Sequence, residues 1–186
     1  MHTATPSVVT GTYAIDPAHS RIGFVARHAM VSKVRGSFNE FEGTGVFDID
    51  RPQNSSVTLS IAAGSVDTRN SDRDAHLRSA DFFDAEQYPQ LTFRSTSVES
   101  RGQDDYRVTG DLSIKGVTRP VTVDFEYTGT AVDPYGNRRI GFEASARVNR
   151  KDWGLTWNAA LEAGGVLVGE QVKLEFEVSA IRLTED

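Results

Sequence analysis

The chain has 186 residues, 16 glycines, six prolines, 38 % hydrophobic residues and no cysteine. That composition fits one globular domain and excludes a disulfide scaffold, thiolate chemistry and cysteine-ligated metal. A net charge of −6 argues against nucleic acid as a partner, since phosphate binding rests on clustered Lys and Arg.

Residues 1–11 hold neither a basic n-region nor an apolar h-region. They read as a loose leader without a signal peptide, which makes the cytoplasm the expected location. The domain is expected to run from 12 to 186, and no apolar stretch is long enough for a transmembrane helix. Runs with a period of two follow at 22–30, 34–49, 57–63, 91–97, 108–114, 121–127, 140–148 and 174–180. The last is the clearest, with Leu174, Phe176, Val178 and Ala180 alternating with Lys173, Glu175, Glu177 and Ser179. Such alternation marks half-buried antiparallel strands. Within 34–49 the apolar parity changes between Phe38 and Phe41, which predicts a bulge or sharp bend. Asn54-Ser55-Ser56 matches a glycosylation pattern and reads as a polar turn. One helix is predicted over 71–80, and a short helix or turn after Arg150.

Eight strands with a single helix point to an all-β up-and-down barrel or a sandwich. In a meander the connections alternate ends. The two longest, 64–90 and 149–171, then fall at the same end, and long connections in compact domains are usually lids or binding loops. That end is the expected mouth. Small inward residues gather there (Ala26, Gly36, Ala63, Ala144 and Ala146), while Phe47, Val57, Tyr106, Phe125, Tyr127, Ile140 and Phe142 lie toward the opposite floor. Leu91, Phe93 and Ala180 break the trend. An eight-stranded barrel either fills itself with side chains or holds one ligand. The size map favours a pocket lined by Phe24, Ala26, Phe38, Ile61, Phe93, Leu112, Ala144 and Phe176, with Gly36 and Ala63 as spacers.

Three stretches carry a specific likeness. They are D-P-A-H-S-R-I-G-F-V-A-R-H at 16–28 with V-R-G-S-F-N-E-F-E-G at 34–43, D-F-F-D-A-E-Q-Y-P-Q-L-T-F at 81–93, and G-D-L-S-I-K-G-V-T-R-P-V at 110–121 with R-K-D-W-G-L-T-W at 150–157. Together they resemble the YceI-like family of polyisoprenoid-binding proteins from about residue 12 onward. The resemblance implies an extended, lipocalin-like, eight-stranded antiparallel barrel that carries long isoprenoid chains such as polyprenyl phosphates or quinones, and it makes a homodimer an expectation. Many family members have a periplasmic signal sequence, and residues 1–11 depart from that pattern.

The chemistry readable in the residues is sparse. His2, His19, His28 and His76 show no metal-ligand spacing, and there is no nucleophile elbow or triad pattern, so no catalytic residue, metal or cofactor is predicted. His28 either donates to a phosphate or quinone oxygen or is satisfied by its neighbouring strand. Trp153 and Trp157, four apart, either cap the pocket or pin the loop to the rim. The basic residues assigned to the mouth mix with acids, and Arg27, Arg35, Arg69 and Arg78 are the candidates to meet a head group. The expected function is sequestration or transport of a long-chain isoprenoid or similar amphiphile. The alternatives are an enzyme acting on the bound lipid and a filled barrel that binds a protein partner.

Overall fold

A computed structural model describes residues 9–161 and 166–183. Eleven strands follow one another: β1 (Gly11–Ile15), β2 (Arg21–His28), β3 (Ser32–Phe38), β4 (Phe41–Phe47), β5 (Ser56–Ala62), β6 (Val66–Asp67), β7 (Gln90–Ser100), β8 (Asp105–Ile114), β9 (Val117–Val132), β10 (Arg138–Asn149) and β11 (Val168–Arg182). They form eight staves, because β1 and β2 lie end to end along β11, β3 and β4 run on as one bent strand, and β6 prolongs β5. Every neighbour pairing is antiparallel, and β1 meets both β4 and β11, so the sheet closes. The expected eight-stranded meander is what the chain forms.

Each stave follows from its side-chain alternation. On β8, Tyr106, Val108, Gly110 and Leu112 are buried, and on β9 so are Val121 and Val123, with polar residues between them. The predicted bend separates β3 from β4, and Phe38 and Phe41 pack into the same cluster on either side of it. The predicted helix is α1 (Ser71–Arg78), whose first turn is capped by the Asn70 side chain. After Arg150 comes a short 3-10 turn, Arg150–Trp153, rather than an α-helix.

The first strand was not expected. Gly11–Ile15 is a strand, and Val9 is itself buried and accepts a hydrogen bond from the Tyr13 hydroxyl at 2.6 Å. The expected leader of residues 1–11 therefore overlaps the barrel over 9–11; residues 1–8 lie outside the described residues. A 3-10 turn, Pro17–His19, capped by Asp16, breaks the stave between β1 and β2. At this break Arg139 of β10 donates to Asp16 at 2.7 Å and to Asp133 at 2.8 Å. Arg139 is the main cause holding Asp133 at a pKa of about 2, and with His19 it also lowers that of Asp16.

The interior is continuous but uneven. One end gathers Tyr13, Phe47, Tyr106 and Ile140 with Phe125, Tyr127 and Phe142, which is the aromatic floor expected from the sequence. Phe47 meets Tyr106 and Phe142 edge-on at 5.5 and 5.2 Å.

Candidate functional site

A cavity of about 170 Å³ lies inside the barrel. Its wall draws on all eight staves, with Phe38, Ile61, Phe93 and Leu112 toward the α1 end and Tyr13, Phe47, Tyr106 and Ile140 toward the floor. Along β8 it extends from Tyr106 to Leu112, roughly 20 Å of strand, or about 15 Å of axis at a tilt of about 40°. No Asp, Glu, Lys, Arg or His belongs to the lining. The phenols of Tyr13 and Tyr106 are its only ionisable groups, and burial raises the pKa of both. The wall can exclude water and hold apolar atoms, and it offers no carboxylate or imidazole for proton transfer.

Two inward-facing glycines let the strands approach closely beside the cavity, and one of them, Gly45, is on its wall. Gly43 and Gly45 alternate with Phe41 and Phe47 on β4, and at Gly45 the cavity wall is made by residues 44–46 together with Ser55 and Ser56. A methyl on Gly45 would come within 2.9 Å of the Ser56 carbonyl, and one on Gly43 within 2.7 Å of Ile15, so glycine keeps this wall thin.

The α1 end is not an open mouth. Phe82, Trp153 and Leu155, from the two long connections, are buried against Leu112, Val121, Val123, Ala144 and Ala146. Trp153 is 3 % exposed and its indole N–H donates to the Leu112 carbonyl at 2.9 Å. Arg150 organises this plug. It is 6 % exposed and its guanidinium donates to the carbonyls of Leu155, Trp157, Val168 and Gly169. Trp157 and Phe82 each meet the His76 ring edge-on, at 4.5 and 5.1 Å, and the His76 Nε2 lies 2.9 Å from an Asp81 carboxylate oxygen. The second connection thereby rests on α1.

Of the sequence-predicted residues, Phe38, Ile61, Phe93, Leu112 and Phe176 line the cavity together. The others stand elsewhere, for stated reasons. Ala144 borders the plug, and Trp153 and Trp157 are parts of it, so the small residue makes room for tryptophan rather than for ligand. Ala63 is fully buried against Phe38, Ile61, Val66 and Leu91, in solid packing. Gly36 is a spacer for protein: a methyl there would lie 2.3 Å from the Phe24 ring, which covers it. Phe24 in turn packs on Phe38 at 5.8 Å, and Ala26 sits nearer the β2–β3 turn, outside the lining. His28, Arg69 and Arg78 are exposed and do not reach the cavity. Sequence reading missed Tyr13, Ile15 and Gly45 on the cavity wall, and Gly43 beside Ile15. The alternation Phe41, Gly43, Gly45, Phe47 was the signal that could have found the glycines.

Among the described residues, no three His, Asp or Glu side chains are grouped to hold a metal ion. No described helix is long and apolar enough to cross a membrane.

Comparison with known proteins agrees with this architecture. Residues 13–180 match the family model described as the YceI-like domain. The chain is 43 % identical over 151 residues to Protein YceI of Escherichia coli O17:K52:H18, covering 80 % of this chain and 78 % of that protein. The crystal structure of BcnA from Burkholderia cenocepacia superposes with a TM-score of 0.79 at 25 % identity, over 89 % of this chain and 98 % of that one. A polyisoprenoid-binding domain from Saccharophagus degradans, implicated in plant cell wall breakdown, superposes with a TM-score of 0.69 at 16 % identity, over 92 % and 98 % of the two chains. The chain belongs to the YceI-like family.

Proposed function

We propose that the protein binds and sequesters, or transports, a long-chain isoprenoid or a similar amphiphilic lipid, with the apolar chain in the barrel. The observation that carries this is the cavity's wall, which is apolar along its length and free of charged side chains. Burial supplies about 0.8 kcal/mol per CH₂ without any specific polar contact. The YceI-like membership and the likeness to a domain described as polyisoprenoid-binding support the same class of ligand. The absence of carboxylate and imidazole from the lining favours binding over turnover.

Size sets how the ligand sits. About 170 Å³ is near the roughly 150 Å³ of an engineered cavity that takes benzene and below the roughly 300–1,000 Å³ of drug-sized sites. A cavity of this size accepts a segment of chain, and a longer one must displace side chains from the plug side or protrude.

The test is native mass spectrometry of protein incubated with a neutral long-chain prenol, comparing wild type with Ala180→Phe and Val108→Phe. Both residues are buried on the cavity wall, on different strands. Wild type should retain a prenol-sized mass and both variants, if cooperatively folded, should lose it. Capture by either folded variant equal to wild type would overturn the assignment of the chain to this cavity.

A further inference from the structure

A second feature lies on the outside of the barrel. Between Asp16 and Glu40 the chain has no acidic residue, yet it carries Arg21, Arg27, Lys33 and Arg35, in a protein of net charge −6. The sheet register extends this bias. Arg147, Lys173, Val25 and Arg35 form one row across β10, β11, β2 and β3, and Arg27 faces Lys33 in the next row toward the β2–β3 turn. Two directly opposed pairs, Arg27 with Lys33 and Arg147 with Lys173, are therefore cation against cation, which destabilises a sheet. Of the acids of β11, Glu177 lies opposite Arg21 two rows toward the floor, and the two nearer this face are paired with cations. Glu170 pairs with Lys151 at 2.6 Å, and Glu175 lies within 4.0 Å of Lys173, Arg21 and Arg35. Within the mixed surface expected from the sequence, the register thus gathers cations into one patch.

The turn at the end of this face carries a backbone cost of its own. Ala29 and Met30 both have positive φ, 54° and 60°, in a three-residue connection between His28 and its register partner Ser32, with the turn closed by the Val31 N–H on the His28 carbonyl. Asn-Gly fills such positions at little cost, and Ala-Met does not. What Ala-Met brings is an apolar tip: Met30 is 63 % and Val31 85 % exposed. The tip stands at the plug end, where the Ala29 N–H donates to the Leu167 carbonyl.

We infer that this face is a docking surface for an anionic phospholipid bilayer, with Met30 and Val31 entering the interface and Arg27, Lys33, Arg35, Lys173 and Arg147 facing the head groups. Charge complementarity selects the partner. A small apolar insertion combined with a basic patch is the pairing of weak signals that gives reversible membrane association. The purpose of docking rests on the carrier reading above, because an apolar cargo is exchanged where lipids are; the docking itself is measured without cargo.

The experiment is flotation of the full chain with vesicles of phosphatidylcholine alone or with about 30 % phosphatidylglycerol, both free of isoprenoid. Binding is expected to the anionic vesicles only, and to fall steeply with salt. R27S/K33S should weaken it about 30-fold, at roughly fivefold per basic residue removed. A29N/M30G puts the favoured pair at the two positive-φ positions and removes the Met30 side chain from the tip, so it should raise the melting temperature and lower vesicle affinity at least about fivefold. Tyr135→Ser, at an exposed turn of the opposite end, should change nothing. The inference is overturned if wild type does not float with anionic vesicles, if it binds both vesicle types equally, if it binds duplex DNA in their place, or if A29N/M30G is stabilised and still binds as wild type. None of those results touches prenol capture, which fails or stands by the cavity variants.

Discussion

The two ends of the barrel are closed by different means. At the floor the closure is made by the staves' own side chains, with Phe47, Tyr106, Phe142 and Tyr127 meeting ring to ring, and the Asp16–Arg139–Asp133 clamp fastens the rim outside them. At the α1 end the closure is lent by connections: Phe82, Trp153 and Leu155 enter a space that Ala144 and Ala146 leave vacant, and Arg150 ties the second connection into one unit. Opening the floor requires breaking strand pairing or repacking a sheet face. Opening the plug end requires moving a loop and its hydrogen bonds, leaving the ladders intact. Local stability is expected to differ accordingly, because loops held by few contacts open at lower free energy than core strands.

The largest effect should come from cutting the plug. Trp153→Ala removes a buried indole and is expected to cost about 3–5 kcal/mol in urea unfolding. It should also accelerate hydrogen exchange in 150–161 well before β8 and β9. Uniform acceleration across both ends would mean that the plug and the floor are one cooperative unit. Next comes Ala63→Leu, which tests whether small residues near the α1 end border space or protein. In solid packing it should cost about 1–3 kcal/mol, and a melting temperature equal to wild type would restore a void there.

The floor clamp is sharpened by pH. Asp133 has a folded pKa of about 2, lowered from 3.8 chiefly by Arg139. Its contribution is therefore complete above the unfolded value and is lost as pH falls from near 4 toward 2. Asp133→Asn should remove part of the acid sensitivity in that window while leaving the neutral-pH exchange of the plug unchanged. An identical acid-unfolding curve would show that the clamp does not govern the floor's acid response. The smallest effect is expected at His28→Ala. The side chain is exposed and outside the cavity wall, so stability should stay within about 0.5 kcal/mol and prenol capture should not change. Loss of capture in the folded variant would return the head-group reading to this histidine.

The staves were legible because a period of two reports which face is wet, and the parity change at Phe38–Phe41 is a break in that signal. β1 was not, since Tyr13 and Ile15 are its only large inward side chains before the Asp16–Pro17 break. The floor was legible because bulky residues must fill whatever they face. The mouth misled for the converse reason: a small side chain does not say what occupies the room it leaves. Ala144 and Ala146 border tryptophan and phenylalanine, Gly36 lies under Phe24, Gly43 lies against Ile15, and Gly45 is the inward glycine of β4 on the cavity wall. Arginine is usually found at the surface, and only the fold reveals the four carbonyls around Arg150.

Closure of the ring by β1 against β11 has a kinetic meaning. Residues 13–15 meet 180–182, so the last seam joins segments separated by almost the whole chain, whereas most other ladders join strands that follow one another. The hairpins can form on local contacts, but the seam must bear the entropy of a loop spanning the domain. A half-assembled sheet with β11 as a bare edge is therefore the expected late species; β2 covers most of that edge, and the short strand Gly11–Ile15 covers the rest of it together with the edge of β4. Substitutions in β1 should accordingly speed unfolding more than they slow folding.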